Sequence, residues 1–174
     1  MEVIPFGYGA FIAEPDGGLA HLDVLMVDPR RVIVDIRLVT YSSAKFPMWH
    51  KGSLAERYGH NAQGKARYIH GSALGNLNYK PEDRDKGFDL KAKRTGLDKL
   101  KSFLDAGYQP ILLCGCRDYT YCHRAYVVQM LKAEVPGLIV TQTWGAMWSN
   151  IIDPMISSMS QFMPECLLPR VTGK

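Results

Sequence analysis

Residues 31–37 read Arg-Val-Ile-Val-Asp-Ile-Arg, a near-continuous β-branched run. A half-exposed strand would alternate apolar and polar residues, and this one does not. It reads as a strand covered on both faces, as strands of parallel sheets are. A second run, from Pro110 to Leu113, leads into a polar loop and then into a helical pattern through Ala125, Val128 and Leu131. This strand-loop-helix unit again belongs to a layered α/β design.

The remaining elements fit the same plan. Val3 to Phe6 opens a first strand, closed by Gly7-Tyr8-Gly9. Asp16 is placed to cap a helix carrying Leu19, Leu22, Leu25 and Met26, which Pro29 stops. Leu38 to Gly52 reads as loop, with a short helix near Leu54, and Ala66 to His70 as another strand. Gly71 to Gly87 is polar and irregular. Thr95-Gly-Leu-Asp98 resembles a capping box, and Leu97, Leu100, Phe103 and Leu104 line one face of the helix it would start. Gly107 ends that helix, and Leu138 to Thr141 gives a last strand. The expected fold is α/β: a Rossmann-like layered sheet, mostly parallel, with helices on both faces.

Residues 1–143 are expected to form one domain, and 144–174 a C-terminal extension. The extension is apolar and rich in methionine, with Trp144, Met147, Trp148, Ile151, Met155, Met159 and Phe162. It reads as a tail helix packed on the domain, or as a self-association surface for a homodimer through 144–163. The chain of 174 residues carries a net charge of +4, which permits binding to phosphates without arguing for it. No apolar run reaches the ~18 residues of a membrane span. The first residues lack the pattern of a secretory signal, so a cytoplasmic protein with reduced thiols is expected.

Three of the four cysteines, Cys114, Cys116 and Cys122, fall in or beside the loop after the 110–113 run. The open end of a strand-loop-helix unit is where α/β proteins bind ligands. Cys122 sits at the helix start, where partial positive charge lowers a thiol pKa. Arg117 and Arg124 push the same way and, with His123, make a clamp for a phosphate or carboxylate. Asp118 is read either as the helix cap or as an acid or base. Cys114, Cys116, Cys122 and His123 form an alternative zinc-ligand set, although the adjacent Cys122 and His123 must point in different directions. The spacing fits neither a C-x-x-C redox motif nor a C-x5-R phosphatase loop.

Asp35 and Arg37, two apart, share one strand face and either reach a site or pair with each other. The loop that follows holds Tyr41, Lys45, Phe46 and Trp49. That mixture suits stacking on a base while neutralising phosphate, or plugging of the core by the aromatics.

The set Val34-Asp35-Ile36-Arg37, Tyr68 with Leu74-Gly75, and Leu112-Leu113-Cys114 with Cys122-His123-Arg124 resembles the domain of unknown function 488 family. The Gly7-Tyr8-Gly9 turn also resembles that family's opening turn. The likeness covers roughly residues 3 to 143. It implies a compact α/β domain with a polar site built from these motifs, and no established reaction. The chain departs from the family at Cys116, where an acid is usual.

The reading these residues favour is a small enzyme acting on a nucleotide, or on a nucleic-acid base or sugar-phosphate. Asp35, Asp118, Cys122 and His123 would be catalytic. Arg37, Tyr41, Lys45, Trp49, Arg117 and Arg124 would bind the substrate, and no cofactor is expected. A non-catalytic nucleic-acid-binding module and a zinc-stapled interaction domain are the alternatives.

Overall fold

The computed structural model describes residues 1–14, 16–40, 46–60 and 64–142. The C-terminal extension lies outside the described residues, and with it the expected tail helix and dimer surface. So do Tyr41 and Lys45.

The β-branched run becomes β2 (Arg31–Asp35), which is paired on both edges. On one side lies β3 (Tyr68–His70), on the other β4 (Gln109–Cys114), and both run parallel to it. β1 (Glu2–Gly7) pairs with β4, and β5 (Ile139–Val140) with β1, again in parallel. The sheet order is β3-β2-β4-β1-β5.

Successive residues of β2 serve opposite layers. Val32, Val34 and Ile36 pack with Leu97, Leu100, Val127 and Leu131 of α3 (Lys93–Asp105) and α4 (His123–Glu134). Ile33 packs with Leu22, Leu54 and Tyr58 of α1 (Leu19–Leu25) and α2 (Lys51–Tyr58). β4 divides the same way, with Leu112 and Cys114 in the first layer and Ile111 and Leu113 in the second. Full burial of each such aliphatic side chain contributes about 1.5–3 kcal/mol, so two complete layers explain why the central strands carry so few polar residues. No helix among the described residues is long and apolar enough to cross a membrane.

Two boundaries differ from the sequence reading. Thr95 does not cap α3. The helix begins at Lys93, after Ala92, with no side-chain cap. The backbone of Lys91 and Ala92 is tied to the carbonyls of Gly75 and Ala73. These tertiary bonds set the start two residues early and override the local signal. Asp118 does not cap α4 either. Its Oδ1 accepts the Thr120 N–H at 2.8 Å in a local turn, and Cys122 is the capping residue.

The connections fix where a ligand can approach. From β1 the chain crosses to β2 and then β3 in one direction, and from β4 it crosses β1 to reach β5 in the other. β1 therefore feeds the α1 layer, and its neighbour β4 feeds the α4 layer. The loops leaving these two strands part in opposite directions, which makes their carboxyl ends the switch point of the sheet. Gly7 is in register with Cys114, and Asp35 with Leu113, so three loops emerge at one level.

Candidate functional site

On the α1/α2 side of this rim, Asp35 is fully buried and Arg37 is only 6% exposed. Arg37 donates from Nε and Nη2 to the two Asp35 oxygens at 2.8 and 2.5 Å. Asp35 also accepts from the backbone N–H of Arg37 and from the Tyr68 hydroxyl, at 3.2 and 2.8 Å. Both carboxylate oxygens are thus engaged. Asp35 is placed to orient Arg37 rather than to face a substrate. Burial beside Asp35 pushes the Tyr68 phenol well above its ordinary pKa. Arg37 Nη1 donates to the Tyr8 hydroxyl at 3.2 Å. Burial raises the Tyr8 pKa, and Arg37 partly offsets this.

On the α3/α4 side, Cys122 caps α4. Its sulfur accepts from Arg124 N–H at 3.5 Å and from Arg124 Nε at 3.2 Å. The same guanidinium reaches the Cys116 carbonyl through Nη2 at 3.0 Å. Arg124 is 2% exposed, and among the described residues no carboxylate pairs with it. Hydrogen bonds from Cys114 and Cys116 hold the Cys122 thiol below its ordinary pKa against burial, with His123 and Arg124 adding to the effect. The same sulfur hydrogen bonds push Cys116 up. Cys122 is wholly buried, so its sulfur is not open to attack a solvent-borne substrate, whereas Cys116 is exposed.

His123 links the two sides. Its Nε2 lies 3.0 Å from the carbonyl oxygen of Ile36, which sits between Asp35 and Arg37 just beyond the end of β2. Its Nδ1 lies 3.9 Å from both Cys114 Sγ and Cys122 Sγ. Burial opposes a charged imidazole, but the hydrogen bonds to Cys114 and Cys122 outweigh it and raise the pKa to about 10.

Tight packing between the β1 and β4 loops holds this arrangement. A Cβ on Gly7 would fall on the Arg124 guanidinium and the Cys116 carbonyl oxygen, and one on Gly9 would fall on the Gly115 oxygen. Gly7→Ala is therefore expected to cost about 1–3 kcal/mol, the usual penalty of overpacking. The midpoint of chemical denaturation measures it. An unchanged midpoint would mean that the two loops stand further apart than described.

The structure thus gathers Asp35, Arg37, Cys122, His123 and Arg124 at one rim, with Arg117 exposed and Asp118 half-buried nearby. Trp49 does not belong there. It is fully buried, stacks on Tyr8 at 4.4 Å, and donates from its indole N–H to the Gly17 carbonyl at 3.2 Å. A residue in that position fills the core and cannot stack on a base. The sequence gives neither Tyr8 nor Tyr68 a role of its own, although Tyr68 and the Gly7-Tyr8-Gly9 turn are among the motifs that carry the family resemblance.

A family model described as domain of unknown function DUF488 matches residues 20–131. The match begins after β1 and ends within α4, so it leaves out the Gly7-Tyr8-Gly9 turn. No curated protein and no solved structure matches the chain.

Proposed function

Since the chain belongs to the domain of unknown function DUF488 family, whose name carries no reaction, we propose from its own geometry that it is an enzyme. Its substrate is a small anionic molecule, a nucleotide or a nucleic-acid base or sugar-phosphate, bound on the outer face of the rim, over the β1 and β4 loops. One observation carries the reading. Arg37, His123, Arg124, Tyr8, Tyr68 and Asp35 converge, mostly buried, at the carboxyl ends of the central strands. Buried ionic groups contribute little net stability compared with an apolar core, and perturbed titratable groups gather at functional sites. The switch point is also where such sheets bind ligands.

In this reading, exposed Arg117 makes the outer contact with the anion. The Tyr8 hydroxyl, held by Arg37, exchanges a proton with the substrate. Asp35 and Tyr68 keep Arg37 in place. The nucleic-acid-binding alternative loses one of the aromatics of its loop with the burial of Trp49.

Thermal unfolding against a panel of nucleoside phosphates and sugar phosphates tests the proposal. A true ligand at about a hundred times its Kd adds ~2.7 kcal/mol. For a chain of this size that corresponds to a rise in Tm of about 5–10 °C. The rise is expected with at least one compound, and it should shrink in Arg117→Ala, whose exposed side chain is not needed for folding. No rise with any compound at millimolar concentration would overturn the proposal.

A further inference from the structure

Three sulfurs and one imidazole nitrogen meet at the end of β4. The sulfurs of Cys114, Cys116 and Cys122 all lie within 4.8 Å of one another, and those of Cys114 and Cys116 are 3.5 Å apart. His123 Nδ1 stands 3.9 Å from two of them. A tetrahedral zinc with bonds of about 2.3 Å to sulfur and 2.0–2.1 Å to nitrogen holds its ligand atoms about 3.6–3.8 Å apart. The Cys114–Cys116, Cys114–His123 and Cys122–His123 pairs stand within tenths of an ångström of that spacing, and the exposed Cys116 side chain, whose sulfur lies more than 4.8 Å from His123 Nδ1, turns inward to complete it.

The imidazole also presents the right nitrogen. A carbonyl oxygen only accepts, so Nε2 keeps its proton for Ile36 O, and Nδ1, which faces the sulfurs, is the nitrogen that gives up a proton to an incoming cation. A metal-bound histidine characteristically donates its other ring N–H to a carbonyl or carboxylate in this way. Adjacent Cys122 and His123 do point differently along the chain, yet the cap geometry of α4 brings both to the same point. The sulfur of an N-capping residue turns back over the first turn, where the His123 ring also lies.

Charge completes the fit. Three thiolates, a neutral imidazole and a divalent cation sum to −1. Arg124, 2% exposed and donating to Cys122 Sγ from both Nε and its backbone N–H, supplies the balancing +1. Besides the Tyr119 ring, 5.8 Å away, this guanidinium has sulfur and a carbonyl oxygen as its partners, and no carboxylate among the described residues. Cys114, Cys122 and His123 are buried while Cys116 is exposed, so Cys116 marks the side from which an ion enters.

We infer that Cys114, Cys116, Cys122 and His123 bind one thiophilic divalent cation of the zinc class. The soft sulfur-rich set selects against magnesium and calcium. Thiols still protonated release their protons to solvent as the ion binds. The site shares His123 and Arg124 with the rim of the anionic-substrate reading, but its occupancy is read without any substrate, so the two can fail separately.

The test uses the untagged full-length chain, purified reduced and without chelator. Elemental analysis should find about one equivalent of zinc per chain. Cobalt(II) in its place should give sulfur-to-metal charge transfer and the intense visible bands of a tetrahedral ion. Cys116→Ser, exposed and so able to fold, should weaken the charge-transfer band. Its metal affinity should fall by at least the ~10–100-fold seen on losing an outer hydrogen-bond partner. Cys166→Ser, in the C-terminal extension, should leave both unchanged. Folded protein, verified by circular dichroism, that holds no metal and gives no charge transfer with cobalt would overturn the inference. So would metal retained at full affinity by Cys116→Ser, or a metal-free cluster lighter by two hydrogens as a disulfide.

Discussion

Asp35→Ala is expected to destabilise the fold by about 3–5 kcal/mol, the cost of leaving a buried charge without its partner. Arg37 would lose both Nε and Nη2 contacts, and the Tyr68 hydroxyl would lose its acceptor. With Arg37 only 6% exposed, water cannot readily replace the carboxylate. Against a typical total stability of about 5–15 kcal/mol, the variant should be partly unfolded near growth temperature. Urea denaturation at unchanged slope measures the loss. A loss below about 1 kcal/mol, the range of exposed pairs, would mean that the Asp35–Arg37 pair is solvated in solution rather than buried.

The double variant Asp35→Leu with Arg37→Met separates folding from function. Replacing a buried ion pair by apolar residues of similar volume is often neutral or better. Here Tyr8 and Tyr68 would still lose their partners, each at about 1–3 kcal/mol if left unsatisfied. The double variant should therefore be more stable than Asp35→Ala alone, but not fully restored. If it also loses the stabilisation that a phosphate ligand gives the natural chain, the pair is kept for the site rather than for the fold.

The two stretches that meet at the rim were visible in the sequence for different reasons. The β-branched run around Asp35 announced a doubly covered strand because a buried strand has no other way to satisfy its residues. Spacing of two put Asp35 and Arg37 on one face, and the short reach between them made a mutual pair possible. The cysteine positions said less. A separation of two and then six residues does not decide whether sulfurs converge, because that depends on how the β4 loop turns into α4. The result, with Cys122 capping the helix and folding back toward Cys114, is a property of the turn and the register. Similarly, no local pattern predicts that Lys91 and Ala92 bond to Gly75 and Ala73, so the start of α3 was misplaced at Thr95. Tertiary hydrogen bonds override capping signals worth about 1 kcal/mol.

Trp49 shows the same limit and gives the second large effect. Basic and aromatic residues in one loop read equally as a stacking platform or as a core plug, since loops lack a period that would tell inside from outside. The structure decides for the plug: Trp49 is fully buried among Phe6, Tyr8 and Leu54 and is anchored to the Gly17 carbonyl. Trp49→Ala should therefore cost about 3–5 kcal/mol, the range for emptying an aromatic from a core. Trp49→Phe keeps part of the ring contact with Tyr8 and loses the indole hydrogen bond, so it should cost about 1–2 kcal/mol. Tyr8 carries this packing to the rim, because the ring stacked on Trp49 belongs to the same side chain whose hydroxyl meets Arg37. The Phe variant should then hold any phosphate ligand with unchanged affinity, whereas the Ala variant should bind more weakly in step with its lost stability. Denaturation midpoints and ligand titrations on the two variants are enough to decide. An Ala variant as stable as the natural chain, or a Phe variant that stays stable yet loses binding, would return Trp49 to the ligand and take the indole out of the core.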